Sequence, residues 1–145
     1  MKKRTMKFLY SIAAALFLLL TAALPAEAAQ NWMQVYAHVE QMINKGVEQY
    51  NNGDLEGAKK IINDSYYGVY ENDGLEKAIR TTISSKNANL TEYQYSELKK
   101  AIRENRDKDA VRGEADKLLS MMKNDIESLD SKGAGGGRWT SFWPA

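Results

Sequence analysis

WMQVYAHVEQMINKGVEQYNNGD, residues 32–54, carries the period that decides the fold. Its apolar residues are Trp32, Val35, Tyr36, Val39, Met42, Ile43, Val47 and Tyr50. Steps of three and four put them on one face of a helix. Asn51-Asn52-Gly53 ends that helix, with a glycine suited to positive φ, and Asp54 is placed to cap the next. So short a turn predicts a hairpin of two antiparallel helices.

The same period continues outward. Leu55, Ala58, Ile61, Ile62, Ser65, Tyr66 and Val69 form the inner face of a second helix. Asn72-Asp73-Gly74 is a second break, and Leu75, Ala78, Ile79, Thr82 and Ile83 predict a shorter helix. Residues 84–89 read as a polar loop. A new helix is predicted from Thr91, where Thr91 and Gln94 fit a capping box and Leu90 with Tyr95 a hydrophobic staple. Its inner residues are Tyr95, Leu98, Ala101 and Ile102. After a charged connection at Arg106–Asp109, Val111, Ala115, Leu118, Leu119, Met122, Ile126 and Leu129 line a last helix. No proline interrupts residues 29–143, and no segment alternates with period two. The expected fold is all-α: an up-and-down helical bundle of about four long helices plus one short helix, over residues 29–130.

Both ends differ from this body. Lys2, Lys3, Arg4 and Lys7 precede an uncharged, mostly apolar stretch from Phe8 to Leu24, followed by Pro25-Ala26-Glu27-Ala28-Ala29. A positive start, an apolar middle and a small-x-small site make residues 1–28 a secretory signal peptide, cut after Ala28. The alternative is an uncleaved membrane anchor, at the short limit of what spans a bilayer. At the other end, residues 131–145 run from a Gly-rich linker into Arg138-Trp139-Thr140-Ser141-Phe142-Trp143-Pro144-Ala145. Arg138, Trp139, Phe142 and Trp143 suit the water–lipid boundary, where such side chains anchor a chain about to enter the membrane. A disordered tail with a few apolar side chains is the plainer alternative. The expected location is therefore exported, on the outer face of the cytoplasmic membrane.

Charge and cysteine content narrow the function classes. The whole chain has 20 Lys+Arg and 19 Asp+Glu, a net charge of +1. Loss of residues 1–28 removes four positive charges and one negative, which leaves +1 − 3 = −2. So balanced a chain has no basic field to hold nucleic acid. With no cysteine, the fold rests on packing alone, and thiolate metal sites and iron–sulfur clusters are excluded. His38 is the single histidine, beside polar neighbours and off the apolar face. No Ser or Cys nucleophile can be paired with a base, so no enzyme activity is expected.

One stretch stands out: Asn63-Asp64-Ser65-Tyr66-Tyr67-Gly68-Val69-Tyr70-Glu71-Asn72-Asp73-Gly74-Leu75-Glu76 gathers three tyrosines and four carboxylates into 14 residues. Asp64 and Glu71 are seven apart and share a helix face. Glu71, Asp73 and Glu76 surround the break, where irregular backbone lets oxygens converge. Hard cations and iron favour such ligands, so Asp64, Glu71, Asp73 and Glu76 are the candidate metal residues. Taken singly, each also reads as ordinary core or helix-end solvation.

This segment, with Gly74-Leu75-Glu76-Lys77-Ala78-Ile79, resembles the extracytoplasmic N-terminal domain of bacterial members of the iron permease family. That family includes the fungal high-affinity iron permease and the bacterial Efe-type transporters. Glu92-Tyr93-Gln94-Tyr95 with Leu98, and Leu118 to Leu129 running into Asp130, are similar to later helices of that domain. The linker and Trp139-Thr140-Ser141-Phe142-Trp143-Pro144-Ala145 resemble the approach to its first transmembrane helix. The resemblance implies a domain that contributes to iron uptake by capturing iron or by docking an iron-delivery partner at the pore mouth. It also implies attachment to the cytoplasmic membrane through a permease part that this chain lacks. The family's Arg-Glu-x-x-Glu motifs are absent, and Gly74-Leu75-Glu76 is only a fragment of one. The chain looks like a permease cut short before its membrane helices. The rival expectation is a secreted all-helical interaction module with no metal role.

Overall fold

The computed structural model describes residues 31–133. Residues 1–28, expected to be a signal peptide, and the aromatic segment with Arg138, Trp139, Phe142 and Trp143 lie outside these residues. Among the described residues every regular element is helical. The elements in chain order are α1 (Trp32–Asn51), α2 (Leu55–Asp64), a first π-helix (Ser65–Glu71), α3 (Leu75–Ala78), a second π-helix (Ile79–Ile83), α4 (Ser85–Arg103) and α5 (Lys108–Ser131).

The helix starts are fixed by side-chain caps. Asn31, Asp54, Ser84 and Asp107 each accept a backbone N–H from three residues on, at Gln34, Gly57, Asn87 and Ala110. Each thereby satisfies a donor that the first helical turn leaves free. Gly53 and Gly74 supply positive φ, at 86° and 81°, at the two breaks expected from the sequence.

The core closes as a ring: α1 packs on α2 and α5, and α4 packs on α5 and α2. Val39, Ile43, Val47, Ile62, Tyr70, Leu98, Ile102, Leu118, Met122 and Ile126 belong to one buried cluster. α1 passes close to α2 at Gly46, where a Cβ would sit 2.6 Å from Ile62 Cδ1 and would push that side chain aside. The far end of α1 is tied down by Tyr50, whose hydroxyl donates to the Arg106 carbonyl in the α4–α5 connection.

Three local expectations need correction. Residues 85–89 are not loop but the first turns of α4, which begins six residues before Thr91. The true cap is Ser84, an ordinary N-cap residue that the polar composition of 84–89 hid. Thr91 and Gln94 therefore form no capping box. Thr91 is buried and donates to Asp125 at 3.4 Å, and Gln94 reaches the Glu114 carboxylate at 2.7 Å. Leu90, expected as a staple, is exposed. Third, the helices flanking the Asn72–Gly74 break are π-helical in part, which hydrophobic spacing alone does not distinguish from α.

Candidate functional site

The tyrosine-rich stretch forms the first π-helix. Such helices are rare and usually confined to single turns, frequently at functional sites. At its start the buried Ser65 hydroxyl donates to the Ile62 carbonyl at 2.9 Å, three residues back. Along it, Ser65, Val69 and Tyr70 face the core, Tyr66 lies half-buried at the rim, and Tyr67 is 60 % exposed.

Tyr66 is the centre of an aromatic cluster. Its ring centroid lies 4.8 Å from Tyr67, 5.8 Å from Tyr70 and 4.9 Å from Tyr95 of α4. The Lys99 ammonium sits over this cluster, 4.3 Å from the Tyr66 centroid and 4.9 Å from that of Tyr67. A cation over the negative face of a ring is attracted to it, most strongly where water is thin. Burial lowers the Lys99 pKa, and Glu71 acts in the opposite direction. Tyr66, Tyr70 and Tyr95 are held neutral. Burial raises Tyr66 well above the ordinary phenol value, and the Glu71 carboxylate beside it adds to the effect. Tyr70 and Tyr95 are raised by burial too, with Ser65 beside Tyr95 partly opposing it, and the Tyr70 hydroxyl is buried without a hydrogen-bond partner among the described residues. A polar cavity of about 330 Å³ opens beside the cluster, between Tyr67 and Tyr93, with Glu92 and Lys99 on its walls. Tyr93 is 61 % exposed. The pair Tyr67 and Tyr93 thus presents two amphipathic rings to solvent from neighbouring elements.

Next to the tyrosines stands an arginine that sequence reasoning missed. Arg80 reaches Glu76 at 2.6 Å, Asn89 at 3.0 Å and Glu92 at 2.6 Å. It ties the second π-helix to α4, and its pKa is raised, first by the hydrogen bond to Glu76. The signal for it was weak: Glu76 and Arg80 are four apart, as helix ion pairs often are, but Asn89 and Glu92 are distant in sequence.

The four candidate metal residues are dispersed. Asp64 is exposed and pairs with Lys60 at 2.5 Å. Glu76 is engaged by Arg80. Glu71 is exposed and acts on Tyr66 and Lys99. Asp73 is exposed in the turn, where its backbone N–H donates to the Val69 carbonyl. Among the described residues, no three His, Cys, Asp or Glu side chains are grouped so as to hold a metal ion. The break bends the chain without turning these oxygens towards one point. His38 is exposed on the outer side of α1. No described helix is long and apolar enough to cross a membrane.

Compared with known proteins, the chain matches no family model, no curated protein and no solved structure.

Proposed function

We propose that residues 29–130 form the outward-facing, up-and-down helical domain of an iron permease family protein, exported by its first 28 residues and serving iron uptake by docking a protein that delivers iron. The reading draws its family from the resemblance of the tyrosine-rich segment and the later helices. Its choice of docking over capture draws on one observation: Tyr67 and Tyr93 are more than half exposed on either side of a polar cavity. Tyrosine supplies contact area, a polar tip and little rotamer entropy to lose, which makes it common where proteins meet. The carboxylates proposed for iron are instead spread along the surface, two of them in ion pairs. Tyr66 and Tyr95 both line the cavity, and their ring contact at 4.9 Å joins its two sides, the first π-helix and α4.

The test of the family is the coding DNA beyond Ala145. An apolar run containing Arg-Glu-x-x-Glu supports the permease. An open frame of ordinary length without one overturns it, and the tyrosine face then belongs to a secreted interaction module.

A further inference from the structure

A second cavity, of about 240 Å³, lies between α2 and α4 and is lined by Lys59, Ile62, Asn63, Lys99, Ile102 and Arg103. The two helices contribute the same pattern, a lysine, then an isoleucine three on, then a polar side chain one further. Ile62 and Ile102 are fully buried and make an apolar floor. The walls carry three cations and no carboxylate. That is an unusual local excess in a body whose net charge, over 29–145, is −2.

Among the described residues, two of the cations lack a carboxylate partner at hydrogen-bond distance. Among the described arginines, Arg80, Arg106 and Arg112 are in ion pairs, and Arg103 is not. Arg103 stands in the last turn of α4, where its charge suits the helix dipole, but its guanidinium is not needed by the carbonyls there. The Lys100, Ala101 and Ile102 carbonyls already accept the N–H groups of Glu104, Arg106 and Asn105, at 2.9, 3.1 and 3.1 Å. Lys99 sits on the Tyr66 and Tyr67 rings, with the Glu71 carboxylate near enough to act on its charge but in no ion pair with it. Lys59 is paired with Glu56 at 2.8 Å, outside the cavity lining.

We infer that this cavity binds a small organic polycarboxylate, with its carboxylates on Arg103, Lys99 and Lys59 and its carbon body on Ile62 and Ile102. Guanidinium–carboxylate bonds are strong and directional. The floor favours a ligand with carbon between its charges over a bare inorganic anion. A cavity smaller than the roughly 300–1,000 Å³ that holds drug-sized ligands fits a compact one. Lys99 loses charge-stabilising water to burial, and an arriving carboxylate offsets that loss. Lys99 borders both cavities, so Arg103, which lines this one and not the cavity beside the tyrosines, is the residue that separates the two sites.

The experiment is calorimetric titration of the purified chain at low salt with citrate, succinate and inorganic phosphate. Arg103→Gln and Lys99→Gln are measured beside it, with exposed Lys123→Gln as the control, and helicity is checked for all. The expected result is saturable citrate binding with a Kd of about 1 mM or tighter. Arg103→Gln should weaken it by roughly tenfold or more, Lys123→Gln should leave it unchanged, and added salt should reduce it. Lack of saturation by any probe up to about ten times that concentration overturns the proposal. So does binding that both cavity variants leave intact. Phosphate binding as tightly as citrate, with succinate not binding, rejects the polycarboxylate in favour of a bare anion.

Discussion

Asp125 gives the sharpest test of how the start of α4 is held. It is only 5 % exposed, and its Oδ1 accepts the Asn87 amide N–H at 2.7 Å. Asn87 is in turn joined to the Ser84 cap, whose hydroxyl donates to it at 2.7 Å. The chain Ser84–Asn87–Asp125 therefore pins the first turn of α4 to α5. Asp125→Ala removes one short charge-assisted bond, worth about 1.5–3 kcal/mol. The Thr91 contact at 3.4 Å is long, and a freed threonine hydroxyl can turn to the carbonyl four residues back, so it adds little. Removal of a buried carboxylate also returns part of its desolvation cost. The net loss is expected to be about 1–2 kcal/mol at pH 7, read by urea unfolding, with faster amide exchange at 85–91. Asp125→Asn keeps an acceptor for Asn87 and should stay within about 1 kcal/mol of the parent chain.

The same residue fixes a sign with pH. Burial raises the Asp125 pKa, and the bonds from Asn87 and Thr91 only partly oppose it. The folded state then holds this proton more tightly than the unfolded state, where the value is about 3.9. Stability from Asp125 therefore increases as pH falls through the raised folded value, and levels off below the unfolded one. The parent chain should gain on Asp125→Asn over that acid window. A loss of less than about 0.5 kcal/mol in Asp125→Ala, or a parent that loses ground to Asp125→Asn on acidification, would refute this reasoning.

Leu118→Ala, at a fully buried core position, should cost about 2–5 kcal/mol in urea unfolding; a cost below about 0.5 kcal/mol places the residue outside the core. Tyr50→Phe strips the Arg106 carbonyl of its donor and should cost about 1 kcal/mol, against no change if that tie is idle. Anaerobic ferrous iron titration of the chain should give no saturable binding that Glu71→Gln with Asp73→Asn abolishes. Saturable binding lost in that double variant would restore direct capture by these carboxylates.

Most of the architecture was legible because burial follows period. The inner faces of α1 and α5 appear in the sequence as spaced, and Asn51–Gly53 and Asn72–Gly74 both break the chain where their glycines take positive φ. The errors share a cause. Polar side chains with a tertiary partner look, in sequence, like polar side chains in water. Ser84 to Asn89 was read as loop because nothing local shows that Asn87 meets Asp125, 38 residues on. Thr91 and Gln94 mimicked a cap by spacing, while their hydrogen bonds run to α5. The candidate site was half legible. The tyrosines were found, but the π-helical register was not, since spacing does not report a fifth-residue hydrogen bond. Arg80 was missed, and with it the partner that engages Glu76. The cavity between α2 and α4 is written in two matching stretches, Lys59 to Asn63 and Lys99 to Arg103, but their pairing exists only once the helices pack.

The most direct test of a role in iron uptake is transport by cells whose own gene carries Tyr67→Ser with Tyr93→Ser. Tyr93→Ser should change folding by no more than about 0.5 kcal/mol, and Tyr67→Ser, which gives up contacts with Tyr66 and Lys99, by about 1 kcal/mol. With the amount of protein at the cell surface matched by immunoblot, uptake of labelled iron from low concentration is measured beside the parent. The expected result is a several-fold fall in iron uptake. Iron uptake equal to that of the parent, at equal surface level, contradicts a docking role for the tyrosine face.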